Sequence, residues 1–405
     1  MKVEDLISKN QCCGCKLCQE CCPTKAIKMV EGDLGALYPN IDESKCIDCN
    51  LCKKNCPAHK ELNISTQKAV YAAINKKENY LMTSASGGVF SALAENVIKK
   101  SGVVYGAAMF KDDQEILAVK HVRVTSLEDL YLLQGSKYLQ SNMEGIYAQI
   151  KSDIKANVFV LFCGTPCQVA AVKSLCGTPE NLLLVELICH GVPSQRFFTD
   201  YLKTLQKNNS SDIESFNFRS KESGWGLCAI LKTKNRRGKI KVKRIPCNIS
   251  SYYKMFLRCE TYRDSCYQCK YAVQDRVGDL TIGDYWGVEK DSQVYNEILS
   301  YGYDVTKGVS CVIVSSEKGL NYLKESNLQL FDSTFESISR ENGQLIHPSR
   351  CPDSRNEVIC EYKNNGYTAL EKDFNKKLGV KKYMIILKNK IPPKLRMSIK
   401  MLLKR

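Results

Sequence analysis

From residue 68 to residue 314, short apolar runs alternate with amphipathic stretches, a rhythm that predicts an α/β domain. Residues 68–74 (KAVYAAI) read as a strand, and after Ser86-Gly87-Gly88 apolar residues recur at helical spacing to about Lys99. Residues 102–109 form a second strand, 115–124 alternate like a half-exposed one, and 142–155 are helical. The continuous apolar run 158–162 marks a buried strand that leads through Gly164-Thr165-Pro166-Cys167-Gln168 into another helix. Residues 182–188 repeat the arrangement, ending at Cys189-His190-Gly191 before a helix that starts after Pro193. Between 212 and 245 the pattern becomes alternating with a turn at Gly238, which predicts antiparallel strands. Past a loop at 259–269, two further strands are expected at 279–283 and 309–314.

The first sixty residues follow a different rule. C-x2-C-x2-C-x3-C-P occurs at Cys12, Cys15, Cys18, Cys22 and Pro23, and again at Cys46, Cys49, Cys52, Cys56 and Pro57. This is the bacterial two-cluster ferredoxin signature, in which three closely spaced cysteines wrap one face of an iron-sulfur cube and the fourth comes from the other copy. Cys12, Cys15, Cys18 and Cys56 are therefore expected to hold one 4Fe-4S cluster, and Cys46, Cys49, Cys52 and Cys22 the second. Cys13 and Cys21 are left over. Zinc knuckles would use two C-x2-C pairs with a longer gap. A disulfide framework is not expected either, because MKVEDLISKN lacks the apolar core of a secretory signal and a cytoplasmic chain keeps its thiols reduced. Residues 1–62 thus read as an α+β ferredoxin-like module, and 63–345 as a larger α/β domain with a mixed sheet.

Length and charge refine this picture. A chain of 405 residues is too long for a ferredoxin alone, and no apolar run reaches the length of a membrane-spanning helix. The net charge is +16, and residues 376–405 hold eleven Lys or Arg and no Asp or Glu. Residues 346–405 therefore read as a helical basic extension, its end forming two short amphipathic helices broken at Pro392-Pro393. Peripheral contact with an anionic membrane surface competes with a solvated or partner-binding role for this tail. Nucleic acid is not an expected partner, since no RNA-binding motif or aromatic stacking pattern accompanies the charge.

A second constellation lies in the larger domain: Cys163 and Cys167 after one strand, Cys189 after another, and Cys266 with Cys269 in a loop. Ligands gather at the carboxyl ends of strands in open α/β sheets. Were the two strands neighbours, Cys167, Cys189, Cys266 and Cys269 could converge on a third cluster; structural zinc and buried unliganded cysteines are the alternatives. The Ser86-Gly87-Gly88 loop before a helix suits a phosphate or the carbonyl edge of a flavin, and equally an ordinary strand-to-helix turn. Neither a G-x-G-x-x-G fingerprint nor a P-loop occurs. The C-x3-C-x2-C spacing of a radical enzyme is also missing, because Ala170 stands where the third cysteine would follow Cys163 and Cys167.

Ser86-Gly87-Gly88, residues 134–138 (QGSKY), 164–168 (GTPCQ), Cys189-His190-Gly191, Arg263 with Cys266-x2-Cys269, and residues 279–287 (DLTIGDYWG) together resemble the coenzyme F-420 hydrogenase/dehydrogenase beta-subunit family. The resemblance spans roughly residues 68–340 and is nearer to the bacterial branch associated with surface-polysaccharide biosynthesis. It implies FAD, a 4Fe-4S cluster held by Cys167, Cys189, Cys266 and Cys269, and flavin contacts from Ser86, Gly87, Gly88, Gln134, Ser136, Lys137 and Gly164. His190 beside a ligand is a candidate proton relay or a structural histidine; Asp284 either binds the cofactor's polar part or caps a helix. The resulting expectation is an iron-sulfur flavoenzyme passing electrons between a ferredoxin or flavodoxin donor and a small organic substrate. The alternative is an electron-transfer subunit without substrate chemistry of its own.

Overall fold

The computed structural model describes residues 6–390, apart from 114, 210 and 223. The amino-terminal module contains one antiparallel hairpin, β1 (Ile27–Glu31) with β2 (Leu37–Ile41), between two short helices, Leu17–Glu20 and Leu51–Asn55.

The large sheet uses β3 (Ala69–Asn75), β4 (Val103–Lys111), β5 (Leu117–Val124), β6 (Val160–Gly164) and β7 (Leu182–Leu187). After an excursion through a three-stranded antiparallel sheet of β8 (Asp212–Asn217), β9 (Cys228–Lys234) and β10 (Ile240–Pro246), the chain returns as β11 (Leu280–Asp284), β12 (Ser310–Val314) and β13 (Leu328–Asp332). The order across the eight strands is β13-β3-β12-β11-β7-β6-β4-β5. β4, β6, β7 and β11 form a parallel centre, and antiparallel strands complete both edges. The mixed sheet expected from the sequence is therefore present.

Alternation of side chains sets which core each strand serves. Val104, Leu161 and Leu183 pack with Val89, Leu93 and Val97 of helix Val89–Lys99. Their neighbours Val103, Val160, Phe162, Leu182 and Leu184 pack on the other face with Ile146, Ile150, Val169 and Ala170, from helices Ile146–Lys155 and Pro166–Cys176. Strands covered on both sides need apolar residues at every position, which is why β6 and β7 read as continuous runs.

A separate aromatic core joins helix Gln195–Asn209 to the small sheet through Phe197, Phe198, Tyr201, Phe216, Phe218 and Tyr252. Helix Arg355–Leu378 adds Tyr367 and Leu370 to this core, so the front of the carboxyl-terminal segment is packed against the domain. Helix Lys381–Lys390 follows, exposing Tyr383, Met384 and Leu387. The Pro392-Pro393 break and the second tail helix lie outside the described residues. No helix among those described is long and apolar enough to cross a membrane.

Candidate functional site

Both short helices of the module are entered at positive φ, at Lys16 (67°) and Asn50 (58°), which folds each cysteine motif back on itself. Cys12, Cys15, Cys18 and Cys56 line one hollow, with Cys13, Leu6, Ile7 and Pro57. Cys22, Cys46, Cys49 and Cys52 line a second, with Ile27, Ile41 and Ile47. Each hollow brings together three cysteines of one motif and the last cysteine of the other, and the first also takes in Cys13.

Burial, with the charges of Cys12 and Cys56, pushes the Cys18 thiol up, and burial raises Cys56 to about 11. Several buried thiolates repel one another, so a bound cationic group would have to displace their protons. The Ala26 amide already donates to Cys22 Sγ at 3.3 Å, a bond that strengthens toward a thiolate. Among the described residues, no three His, Cys, Asp or Glu side chains are drawn close enough to share a single metal ion.

The module is fixed to the large domain by the first set. Arg263, 2% exposed, donates to the carbonyls of Cys12 (3.1 Å) and Leu37 (2.7 Å) and to Gln140 Oε1 (3.0 Å), and its guanidinium lies 4.7 Å from the Tyr38 ring. Gln140 in turn donates to the carbonyl of Cys13 at 2.8 Å, and the Tyr147 hydroxyl to that of Cys15 at 2.8 Å. Gly14 makes this approach possible: its φ is +64°, and a Cβ there would stand 2.5 Å from Arg263 Nη1. The Lys270 ammonium and the Tyr271 hydroxyl hold the carbonyl of Pro57, beside Cys56. The second set faces outward, with Cys49 exposed and Ile47 64% exposed.

A third group of cysteines forms where the parallel strands end. β6 and β7 are neighbours, so the segments after them emerge side by side. The GTPCQ stretch is a helix start: Thr165 is the N-cap, Pro166 the first helical residue, and Gln168 completes a capping box with Thr165. This leaves Cys167 in the first helical turn, its Sγ 3.2 Å from Thr165 Oγ1.

Cys189 follows β7, while Cys266 lies within and Cys269 just after a single 3-10 turn, Asp264–Gln268. Cys189 interacts with Cys167, Cys266 and Cys269; burial, then those last two thiols, raises it, and burial raises Cys266 to about 11. The loop bearing Cys269 is anchored by Arg276, which donates to the carbonyls of Tyr271 and Val273 and pairs with Glu186 on β7 in a fully buried salt bridge. The Tyr262 hydroxyl, buried beside Cys259, Cys189 and Cys266, makes no well-formed hydrogen bond there. A buried hydroxyl in that state costs about 1–3 kcal/mol, which an acceptor held by the cysteines would relieve.

Cys13, assigned no role from spacing, lies between two of the sets. Its thiol interacts with those of Cys15 and Cys167, and these contacts hold it well below the usual thiol range. Cys21 interacts instead with Cys52 and Cys22, and its thiol donates to the carbonyl of Cys18 at 3.5 Å.

The proposed flavin contacts also gather at this end of the sheet. Ser86 Oγ donates to the carbonyl of Val309 and the Gly87 amide donates to Ser310 Oγ, so both donors are engaged by the sheet. A Cβ on Gly87 would lie 2.2 Å from the Ala73 carbonyl oxygen, so this loop packs directly on β3. Gly88 is the N-cap of helix Val89–Lys99. Gln134 donates to Ser91 Oγ, and Ser136 bonds Tyr138. The Lys137 ammonium donates to the carbonyls of Leu132 and Gln134, and burial lowers its pKa to about 7. Gly164 ends β6 beside them.

Asp284 is gripped from one side. Arg219 donates to both its oxygens at 3.0 and 3.2 Å, and Trp225 Nε1 donates to Oδ1 at 2.7 Å. Trp225 stacks on Trp286 at 4.8 Å. Arg219 also donates to the carbonyl of Ala85, and the buried Lys221 ammonium donates to those of Leu81 and Ser86. Sequence reasoning does not single out Arg219, Lys221 or Trp225, because nothing in a strand-to-strand segment betrays which loop it will reach. His190, whose imidazole pKa is lowered by burial, lies in the electrostatic field of Asp284, so the two candidate catalytic residues are near one another.

Residues 70–147 match the family model for the N-terminal part of the coenzyme F420 hydrogenase/dehydrogenase beta subunit, and residues 159–330 match the model for its C terminus. No curated protein matches the chain. Among solved structures it is similar to a chain of the xenon-derivatised F420-reducing NiFe hydrogenase complex from Methanosarcina barkeri, with 13% identity, a TM-score of 0.38, and coverage of 80% of this chain and 97% of that one. The two family matches together take in more than half of the sequence, including the third cysteine group, the loop at 86–88 and Asp284: this chain belongs to the coenzyme F420 hydrogenase/dehydrogenase beta-subunit family of oxidoreductases.

Proposed function

We propose that the chain is an iron-sulfur flavoprotein oxidoreductase that exchanges electrons between a ferredoxin or flavodoxin donor and a small organic substrate. The observation that supports this most is the sorting of twelve cysteines into three sets, two round separate hollows and one at the ends of β6 and β7. Each set would hold a 4Fe-4S cluster. When bound, the clusters carry single electrons and FAD joins that traffic to two-electron hydride chemistry.

The chain's own groups divide the remaining work. Arg263, Gln140, Tyr147 and Lys270 clamp the first set against the large domain, while the second set, with Cys49 exposed, faces a donor. FAD belongs near the start of helix Val89–Lys99, beside Ser86, Gly87, Gly88, Gln134, Ser136, Lys137 and Gly164. Arg219 and Lys221 fix that loop through the carbonyls of Ala85 and Ser86. His190 would accept or release a proton at its ring, with Asp284 setting the local field. A sugar-derived substrate in polysaccharide biosynthesis is consistent with the branch the sequence resembles, and nothing in this scheme requires coenzyme F420.

Heat-denaturing anaerobically isolated protein and identifying the released cofactor by chromatography tests the reading. FAD in the supernatant is expected. Iron and sulfide without any flavin would overturn the flavoenzyme in favour of an electron-transfer subunit.

A further inference from the structure

Residues 232–244 carry eight Lys or Arg, and no Asp or Glu occurs anywhere from 223 to 259. They form the hairpin of β9 and β10. Asn235 closes its tip: the side-chain oxygen accepts from the Arg237 and Lys239 amides at 3.0 Å, and Gly238 takes a φ of +76°. Every residue from 234 to 244 is exposed, so this end of the hairpin stands clear of the domain. Among the described residues, Arg244 alone of the eight cations forms a salt bridge, with Glu222. The pairing register sorts what the hairpin presents. Leu231 and Thr233 are buried, so they and their partners Lys243 and Lys241 turn toward the domain. On the opposite face Ile240, 59% exposed, stands beside Lys234, and Val242, 56% exposed, beside Lys232. Helix Lys381–Lys390 packs against the turn Cys247–Ile249 that ends β10, and brings the exposed Tyr383, Met384 and Leu387 to the base of the hairpin.

We propose that this hairpin, with the helix at its base, is the surface by which the chain docks on an anionic phospholipid membrane. The seven cations outside the Arg244 salt bridge would meet opposite charge in the headgroups. An aliphatic pair set between lysines suits the boundary between headgroups and acyl chains, where the ammonium groups reach phosphate while Ile240 and Val242 leave water. Nucleic acid would leave that pair exposed, and residues 232–244 hold no aromatic ring on which bases could stack. β10 is the edge strand of its sheet, so its outer backbone groups need water or headgroups as partners. The hairpin therefore rests at the interface without entering the hydrocarbon. The basic residues of 376–405 add to an attachment that the hairpin begins.

The test sediments the full chain with phosphatidylcholine vesicles carrying about a third phosphatidylglycerol, and with vesicles of phosphatidylcholine alone. The chain should pellet only with the anionic vesicles and return to the supernatant as salt rises. A variant combining Arg236→Gln, Arg237→Gln, Lys239→Gln and Lys241→Gln should partition about a hundredfold more weakly. Ile240→Ser with Val242→Ser should weaken it about tenfold. Both variants should keep the wild-type thermal midpoint, because these side chains are exposed. Absence of wild-type binding to the anionic vesicles overturns the inference. Equal binding by wild type and the glutamine variant overturns it too, and would place attachment in residues 376–405 alone. Release from the vesicles by single-stranded RNA at matched phosphate concentration would overturn it in favour of a nucleic-acid surface.

Discussion

Arg263 donates two hydrogen bonds to the carbonyl oxygen of Cys12, 251 residues away in sequence. Since Arg263 stands three residues before Cys266, one side chain ties the first cysteine set to the third. The contact is buried, and the carbonyls of Cys12 and Leu37 would lose a charged donor with it.

Arg263→Met should therefore destabilise the chain by about 3 kcal/mol and speed the loss of iron, because two buried carbonyls would be left without this partner. Arg263→Lys should recover only part of the loss, since a single ammonium cannot reach all three acceptors in the fork that arginine spans. Urea unfolding and iron release under argon measure both effects; a variant as stable as wild type would show that the module does not depend on this clamp.

Cys269→Ser should remove about four irons and leave about eight, with the two amino-terminal sets intact. Iron and sulfide assays on the purified variant decide this. Unchanged iron content would mean that Cys269 is not a ligand.

Asp284→Ala should cost about 3–5 kcal/mol, because it strands the buried guanidinium of Arg219, whose side chain is 2% exposed. The same change frees Trp225 Nε1 and loosens the loop at 84–88 that Arg219 holds. A carboxylate acting only in proton transfer would leave the unfolding midpoint where it was.

Lys221 gives a pH signature. Burial, then the nearby charge of Arg219, lowers its pKa from 10.5 to about 7 in the folded chain. Between those values the unfolded chain binds one more proton than the folded one, so this group's contribution makes stability rise with pH through that window and flatten above it. Lys221→Met removes the contribution. The stability difference between wild type and variant should move in favour of wild type by at most about 1.4 kcal/mol per pH unit from about pH 7.5 to 9.5. A difference independent of pH over that range would place the ammonium in contact with water.

Local chemistry makes part of this architecture readable in advance. The grouping of three cysteines round each amino-terminal hollow is readable from spacing, because each motif supplies them within seven residues, Cys12 to Cys18 and Cys46 to Cys52. The buried strands β6 and β7 announce themselves as apolar runs because both faces are covered. β13 gives no such signal: Leu328–Asp332 is five residues with partial burial and no clear period. Helix Arg355–Leu378 is interrupted at Gly366 (φ 72°), and only Arg355, Tyr367 and Leu370 along it are buried, too few to mark a packed face. Arg219 and Lys221 escape because their partners are carbonyls, which carry no sequence signal.

The most direct test is the iron, acid-labile sulfide and flavin content of one anaerobic preparation of the full chain. Three sets of four cysteines and a flavin predict about twelve irons, about twelve sulfides and one FAD per chain. About eight irons without flavin would leave the amino-terminal module as the sole redox centre and contradict the account of the large domain.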